Sequence, residues 1–274
     1  MTVDVSVVIP TFRRPRELQE ALESVLCQES VALEILVVDD SPEGGARAVV
    51  EDQRDIRITY LRTPQPTGGI PSLARNLAWP RATGAFVHFL DDDDRVPAGH
   101  YARIMTAFAA RPHVGLIFGR IEPFGACPPA QLQHEQAFFA EAARRARICR
   151  RLGTRRAFAG QMLFGSPLLV CSAGVLRREA VARVGGFDPD IRLMEDADFY
   201  ARVMRTCGAD VIDDVVLHYR IGFPSLMHAP DPSPAQRQVQ RAGRRRMQAK
   251  YRRAQGALEF YALAAFSRLL VQHL

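Results

Sequence analysis

The sequence contains four consecutive aspartates, residues 91–94, between the apolar run AFVHFL and Pro97. Carboxylates packed this closely repel one another, so the run predicts a positively charged partner. Carboxylate oxygens suit Mg²⁺ or Mn²⁺, which keep coordination positions for water and substrate phosphates. If the backbone stays extended, Asp91 and Asp93 point to the same side and can reach one cation. The alternative is a solvated acidic turn in which Asp94 caps the helix that begins near Pro97.

Three other motifs place polar side chains at the ends of predicted elements. The run EILVVDD ends in Asp39 and Asp40, and a carboxylate there can accept a hydrogen bond from a nucleobase N–H. Asp196 starts an amphipathic helix, where the helix dipole also favours a negative charge. His218 and Arg220 end an apolar strand, where the histidine can instead be part of the core edge. Each motif has a purely structural explanation, but together they favour one site.

These motifs need a scaffold that brings strand ends together. Apolar runs rich in valine and isoleucine predict buried strands at residues 5–10, 34–40, 56–61 and 85–90. Helical periodicity predicts helices at residues 14–28 and 45–53 and a third helix from Pro71. Alternating strands and helices predict an α/β fold with a largely parallel sheet, in which ligands bind beyond the carboxyl ends of the strands.

The second half of the chain has a different pattern. It predicts helices at residues 98–110 and 194–205 and from residue 233 onwards, and strands at residues 114–119, 167–176 and 209–220. The helix at residues 194–205 carries Phe199, Val203 and Met204 on one face, which predicts that this face is buried. Residues 123–160 combine prolines with a basic helix.

Composition excludes several classes of protein. The 274 residues are 47% hydrophobic, which is enough for a large core. The five cysteines lack C-x-x-C spacing, which argues against a disulfide framework or a zinc site. The net charge of +6 comes from arginines concentrated in residues 144–156 and 237–253, which we interpret as solvated helix faces rather than as a nucleic-acid surface. The start of the chain has no signal-like pattern and the apolar runs are short, so we expect a cytoplasmic protein.

The order and spacing of these motifs between Val5 and Gly222 resemble those of family 2 glycosyltransferases with the GT-A fold. That resemblance implies a nucleotide-binding, Rossmann-like, mostly parallel sheet flanked by helices. It implies inverting transfer of a sugar from a nucleoside diphosphate to an acceptor hydroxyl, assisted by Mn²⁺ or Mg²⁺. We expect residues 1–97 to bind the nucleotide sugar, residues 98–222 to bind the acceptor and carry catalysis, and residues 223–274 to form a C-terminal helical extension.

The resemblance also implies roles for individual residues on the nucleotide side. Thr11 and Asp40 would line the nucleoside pocket, with Asp40 accepting a hydrogen bond from the base. Arg75 would approach the base or the phosphates, and Asp92 would lie near the ribose or the cation. A single carboxylate at Asp40 matches the one N3–H of uracil or thymine, so we expect a UDP- or dTDP-linked donor.

For the reaction itself, the resemblance implies that Asp91 and Asp93 form a D-x-D metal motif and that Asp93 binds the cation. His218 would be a further metal or phosphate ligand, and Asp196 would be the general base. This chain has one residue fewer than the common pattern between the acidic run and Pro97. That departure leaves open which of the four aspartates contacts the metal.

Three other functions are weaker matches. A phosphatase of the haloacid dehalogenase type needs Thr or Val where this chain has Arg95. A sugar nucleotidyltransferase usually opens with a glycine-rich phosphate loop, but IPTFRRP contains no glycine. A non-catalytic module that binds carbohydrate or nucleotide is the third alternative. The missing G-x-G-x-x-G argues against a dehydrogenase-type fold.

The expected partners are a nucleoside-diphosphate sugar and a saccharide, lipid-linked or small-molecule acceptor, without nucleic acid. Near the C-terminus, an apolar stripe of Leu258, Ala262, Phe266 and Leu269 predicts a helix that packs on the catalytic domain or on a second subunit. The alternative is peripheral attachment to a membrane surface through this helix and the arginine-rich segment before it.

Overall fold

A computed structural model describes residues 2–222 and 234–272. Its centre is a seven-stranded sheet with the order β3-β2-β1-β4-β6-β5-β7. The strands are β1 Val5–Thr11, β2 Leu33–Asp39, β3 Ile58–Arg62, β4 Phe86–Phe89, β5 Leu116–Phe124, β6 Gly174–Arg177 and β7 Ala209–Arg220. Every pair is parallel except those of β6, which runs antiparallel to β4 and β5. The predicted α/β fold is therefore confirmed, with a mixed, mostly parallel sheet.

Ten helices surround this sheet in the described residues. They are α1 Pro15–Leu26, α2 Ala46–Gln53, α3 Pro71–Ala78, α4 His100–Ala110, α5 Pro129–Leu152, α6 Arg155–Phe164, α7 Arg178–Val184, α8 Glu195–Cys207, α9 Pro234–Gln255 and α10 Ala257–Gln272. Both α1 and α3 begin at a proline, whose missing N–H costs nothing at a first helical position. On α8 the predicted stripe of Phe199, Val203 and Met204 is fully buried.

The predicted strand at residues 167–176 is mostly wrong. Only Gly174–Arg177 joins the sheet as β6, and Cys171–Ala173 forms a short 3₁₀ helix. The Tyr200 hydroxyl donates a hydrogen bond to the Cys171 carbonyl (2.6 Å) and packs against Gly174, where a Cβ atom would lie 2.8 Å from it. This tertiary contact turns the chain just before β6, so an apolar run is not sufficient to make a strand here.

The C-terminal helices pack on the rest of the protein, but Phe266 is the one member of the predicted apolar stripe that packs against the core. On α10, Leu258 is 87% exposed, whereas Leu263 is 1% exposed and Ser267 is also buried. Glu259 accepts hydrogen bonds from Arg156 and Arg205, which turns this face of α10 toward the body. None of the helices in the described residues is long and apolar enough to cross a membrane.

Candidate active site

A cavity of about 1230 Å³ opens at the carboxyl ends of β1, β2 and β4. Seven of the eight site residues predicted from the sequence line it: Thr11, Asp40, Arg75, Asp91, Asp92, Asp93 and Asp196. Residues from α5, from the segment at 167–171 and from α9 complete the wall. The rule that strand ends converge on one edge of a parallel sheet accounts for Thr11, Asp40 and the acidic turn, whereas Arg75 and Asp196 reach the cavity from α3 and α8.

The four aspartates form a turn rather than an extended segment. The Asp94 N–H donates to the Asp91 carbonyl (3.2 Å), so Asp91 and Asp93 do not alternate as they would in a strand. Arg75 donates to Asp91 (2.5 Å), while Arg14 donates to both Asp92 (3.2 Å) and Asp93 (2.5 Å). Two different arginines therefore form ion pairs with the first three members of the turn.

Burial dominates the electrostatics of this turn. It raises the pKa of Asp92 to about 7, and the negative charge of Asp93 adds to the effect. It also raises the pKa of Asp94 well above its usual range. Asp94 is almost completely buried and accepts the Arg220 N–H (2.9 Å). The alternative in which Asp94 caps the next helix is wrong, because α4 begins after Gly99 without a side-chain cap.

Arg75 connects three parts of the site. Its side chain is 2% exposed and donates to Asp91 on the acidic turn and to Glu195 at the start of α8 (3.1 Å). Its guanidinium also lies 5.1 Å from the centre of the Phe187 ring. A buried charge is tolerated only when it is paired, and here the two partners belong to two different elements. Arg75 therefore fixes the position of α8 relative to the acidic turn.

The Asp40 carboxylate is already fully engaged within the protein. Its Oδ1 accepts from the Thr63 hydroxyl and the Thr67 N–H (both 2.8 Å). Its Oδ2 accepts from the Thr67 hydroxyl (2.8 Å) and the Gly69 N–H (2.7 Å). Burial by itself would raise the pKa of Asp40, but these bonds lower it below its usual range. Asp40 therefore holds the loop at residues 63–69, and Gly68 and Gly69 of this loop line the cavity.

Asp196 occupies the second position of α8 and is partly buried. Burial raises its pKa to about 7, and the negative charge of neighbouring Glu195 contributes. The sequence alone predicted that the helix dipole keeps this carboxyl ionised, whereas burial is the stronger influence in the structure. A carboxylate with a pKa near neutrality is a better proton acceptor than an ordinary aspartate.

His218 is the one predicted site residue that the structure does not bring to the cavity wall. It pairs with Arg95 in an isolated antiparallel bridge, and its ring lies beside Glu122 (3.9 Å) and Phe124. Arg220, two residues later, does line the cavity and donates to the Asp93 carbonyl (2.7 Å). The motif LHYR thus contributes Tyr219 and Arg220 to the cavity wall, but not the predicted His218.

Sequence reasoning assigned no role to Arg14, Arg220 or Glu20. Glu20 on α1 accepts hydrogen bonds from Arg95 and Arg220, which ties α1 to both sides of the acidic turn. The only feature of the sequence that marks Arg14 is its place in the basic segment after β1. A position at the start of a predicted helix explains that arginine equally well. These arginine contacts join positions far apart in the chain, so periodicity cannot reveal them.

The residues present fit a divalent cation that is shared with a substrate. Within residues 2–222 and 234–272, no group of three or more His, Cys, Asp or Glu side chains is arranged to hold a metal ion. Mg²⁺ and Mn²⁺ are commonly held by one or two carboxylates together with substrate phosphates and water. Burial and the negative charge of Asp91 raise the pKa of Asp93 despite the nearby Arg14, so a cation at the turn would favour its ionised form. Asp91 and Asp93 are therefore suitable for a cation that arrives with a diphosphate.

Sequence comparisons place the chain among glycosyltransferases. The family described as "Glycosyl transferase family 2" matches residues 6–185. An uncharacterized glycosyltransferase of Haemophilus influenzae is 23% identical over 73% of this chain and 62% of its own length. The GalNAc(5)-diNAcBac-PP-undecaprenol beta-1,3-glucosyltransferase of Campylobacter jejuni is 36% identical over 37% of this chain and 33% of its own. The chain thus spans less than two thirds of these relatives.

Solved structures agree on the fold. Residues 1–349 of S. aureus TarS, in complex with UDP-GlcNAc, align with a TM-score of 0.60 and 17% identity, over 97% of this chain and 79% of that one. The mannosyltransferase PcManGT from Pyrobaculum calidifontis, in complex with GDP-Man and Mn²⁺, aligns with a TM-score of 0.57 and 20% identity, over 99% of this chain and 81% of that one. With the family match covering more than half of its residues, this chain belongs to glycosyltransferase family 2 and has the GT-A fold.

Proposed function

We propose that the protein is a metal-dependent inverting glycosyltransferase that moves a sugar from a UDP- or dTDP-linked donor to an acceptor hydroxyl in glycan, glycolipid or glycoconjugate synthesis. The observation that carries this proposal is the position of Asp196, with a pKa of about 7, on the same cavity as the acidic turn. In our proposal residues 1–97 bind the donor, residues 98–222 bind the acceptor and carry catalysis, and residues 223–274 form an extension.

The nucleoside would lie against Thr11 and the loop at residues 63–69. Asp40 holds this loop through both of its oxygens, so the N3–H of uracil or thymine would share an oxygen with the Thr67 or Gly69 donor. Carboxylate oxygens accept more than one hydrogen bond, which makes such sharing reasonable. The backbone of the loop at residues 63–69 would then contact the remaining edge of the base.

The diphosphate would lie beside the acidic turn. Asp91 and Asp93 would hold the cation, and Asp92 would lie beside the ribose or the cation. When bound, the cation neutralises the charge that develops on the leaving diphosphate. Asp93 would hold the cation in place of its present partner Arg14, and the Arg14 guanidinium would then be available for a donor phosphate. Arg220 lines the cavity, so we assign the phosphate-side basic role to Arg220 rather than to His218.

Asp196 would accept the proton of the acceptor hydroxyl as the new bond forms. Its neighbour Glu195 accepts a hydrogen bond from Arg75. We therefore assign the Glu195 carboxylate to the positioning of α8 rather than to proton transfer. The proposal assigns one base and no nucleophile, and a single displacement inverts the anomeric centre.

The exposed side chains of α10 form a surface that can contact a membrane or another protein. Leu258 and Tyr261 on α10 are exposed and do not take part in the packing on the body. In our proposal these side chains would supply either peripheral contact with a membrane or a homodimer interface.

Calorimetric titration of UDP, with Mn²⁺ and then with excess chelator, tests the donor site. We expect UDP to bind more tightly with Mn²⁺ in the parent protein and Asp93→Asn to remove this difference. Equal affinity under both conditions would contradict the metal role, and tighter binding of GDP than of UDP would contradict the base assignment.

Turnover of UDP-glucose, UDP-GlcNAc and UDP-galactose with Mn²⁺ tests the reaction class. Release of UDP with formation of an inverted sugar product, identified by NMR, supports the proposal. Release of pyrophosphate from UTP and a sugar 1-phosphate would indicate a nucleotidyltransferase. Binding without turnover of any of these donors would indicate a non-catalytic module.

A further inference from the structure

One face of α9 is fixed against the catalytic body. At Gly243 a Cβ atom would lie 2.5 Å from the Leu193 carbonyl, so the helix backbone touches the loop that leads into α8. Met247 is fully buried, and Lys250 donates to Asp188 (2.8 Å) and Asp198 (3.3 Å). The position of α9 relative to Asp196 is therefore set by close packing and by ion pairs.

The neighbouring face of α9 forms a wall of the cavity. Arg237, Gln240, Arg241 and Arg244 line it and follow one another with the spacing of a single helical face. Arg192, in the loop before α8, lines the same cavity. Arg237 and Arg241 are exposed, as the interpretation of residues 237–253 as a solvated helix face predicts, and they also border the cavity.

The arginines of the cavity differ in their partners. Arg14, Arg75 and Arg220 each form ion pairs with carboxylates. Within the part of the chain that the structure describes, neither Arg192 nor Arg241 forms an ion pair with a carboxylate. The cavity thus combines an acidic turn, whose aspartates are paired with Arg14 and Arg75, with two arginines, Arg192 and Arg241, that line it without a carboxylate partner. An anion is the ligand that two such arginines favour.

Part of the remaining wall of the cavity is apolar, although Gln131, His134 and Glu135 of α5 also line it. Phe138, Phe139 and Ala142 of α5 line it, together with Leu168 and Leu169. The volume of about 1230 Å³ exceeds the range of roughly 300–1000 Å³ that is typical of a pocket for one small ligand. The cavity therefore has room for a second substrate beside the donor.

We propose that Arg192 and Arg241 form an anion subsite for a phosphate group of the acceptor, close to the hydroxyl that receives the sugar. The acceptor class is then a phosphate ester, which can come from a lipid carrier or from a water-soluble molecule. This inference rests on the proposed function, since it treats the donor end of the cavity as the site of UDP and Mn²⁺. Guanidinium groups suit this role because they bind phosphate oxygens in a bidentate manner.

Calorimetric titrations with three probes test the subsite: glycerol 1-phosphate, geranyl phosphate and the neutral alcohol geraniol. They are run with saturating UDP and Mn²⁺ and again without either. The variants are Arg192→Gln combined with Arg241→Gln, and the control Arg253→Gln, whose exposed side chain lines a separate shallow groove at the α9–α10 junction.

We expect at least one phosphate probe to bind the parent and the control equally, and to bind the double variant about tenfold more weakly, as for the loss of a charge-assisted hydrogen bond. Binding of both phosphate probes supports a soluble phosphate ester, and binding of geranyl phosphate alone supports a lipid-linked one. The inference is overturned if neither phosphate probe binds, if geraniol binds as tightly as geranyl phosphate, or if the double variant binds the probes as the parent does.

The two proposals fail in different ways. If UDP and Mn²⁺ do not bind at all, the proposed function fails, while the titrations without UDP and Mn²⁺ still measure the subsite. If the double variant loses affinity for UDP itself, these arginines serve the donor diphosphate, and the acceptor subsite is refuted.

Discussion

At the scale of single residues, the decisive feature is a carboxyl group whose pKa lies near neutrality. As the proposed general base, Asp196 would have to be ionised to accept a proton, and burial raises its pKa to about 7. We therefore expect turnover of the donor, at saturating Mn²⁺, to fall about tenfold per pH unit below pH 7 and to level off above it. Asp196→Asn removes the proton acceptor and should lower turnover by roughly a hundredfold or more at every pH.

Affinity for UDP and Mn²⁺ is the control for this prediction. The Asn side chain keeps the shape of Asp, so Asp196→Asn should bind UDP nearly as the parent does. An Asp196→Asn protein with parental turnover, or a parental rate that is independent of pH between 5 and 8, would contradict the assignment of the base.

The same pKa shift predicts an effect on stability. A carboxyl whose pKa is raised in the folded state stabilises the fold when it is protonated, and this contribution is lost as pH rises through the folded pKa. The parent should therefore lose stability between about pH 4 and pH 7 because of Asp196, whereas Asp196→Asn should not. Thermal unfolding should show the Tm of the variant, relative to the parent, increasing across this range.

Asp52→Asn provides the matched control, because Asp52 is exposed on α2. Its Tm relative to the parent should stay constant with pH. A constant Tm difference for Asp196→Asn as well would mean that Asp196 titrates as an ordinary aspartate, and the explanation of the neutral pKa would fail.

At the scale of elements, the packing of α10 depends on small and polar residues. Gly160 on α6 allows close approach, since a Cβ atom there would lie 2.4 Å from the Ser267 hydroxyl and 3.1 Å from Leu263. Leu263→Ala should destabilise the fold by about 2–5 kcal/mol, because it leaves a cavity at this contact. Leu258→Ala, on the same helix but 87% exposed, should change stability by less than about 0.5 kcal/mol.

Urea unfolding of the two variants measures the comparison. Equal, small losses in both would mean that α10 does not pack on α6 in solution. Equal, large losses would mean that the predicted stripe through Leu258 is buried after all, for example against a second copy of the chain.

Elements with local signals were predictable from the sequence. The strands β1, β2 and β4 were predicted from apolar runs rich in valine and isoleucine, and the helix α1 from its helical periodicity. Each is found within a few residues of its predicted bounds. The face of α10 was not predictable, because Glu259 pairs with Arg156 and Arg205, which are far away in the chain. Ion pairs between residues far apart in the chain produce no periodic pattern in the sequence.

The site residues also divide into those that the sequence predicts and those that it does not. The rule for strand ends predicts that the acidic turn and Asp40 lie at one edge of the sheet, and both line the cavity, as does Asp196 at the start of α8. The four donors around Asp40 come from a loop without regular structure, so their arrangement could not be read in advance. The cavity face of α9 has the composition of a solvated helix, and only its packing through Gly243 reveals its place.

At the scale of the whole molecule, the cavity joins charges from both halves of the chain, and the balance between them predicts how the ligands cooperate. In the structure Arg14 neutralises Asp92 and Asp93, and the described residues offer no cluster of three metal ligands. Under the proposed function, Mn²⁺ alone would have to compete with a guanidinium for an incomplete set of ligands. A bound diphosphate would supply further oxygens and would give Arg14 a new partner.

We therefore expect Mn²⁺ to bind at least about tenfold more tightly in the presence of UDP, with UDP gaining affinity from Mn²⁺ by the same factor, since such coupling is reciprocal. Electron paramagnetic resonance of free Mn²⁺ measures the first affinity and calorimetry the second. Arg14→Ala removes the competing guanidinium, so it should tighten binding of Mn²⁺ alone and reduce the coupling. Arg16→Ala, exposed on the same helix, should change neither. Coupling that is absent in the parent, or unchanged in Arg14→Ala, would refute this account of the acidic turn.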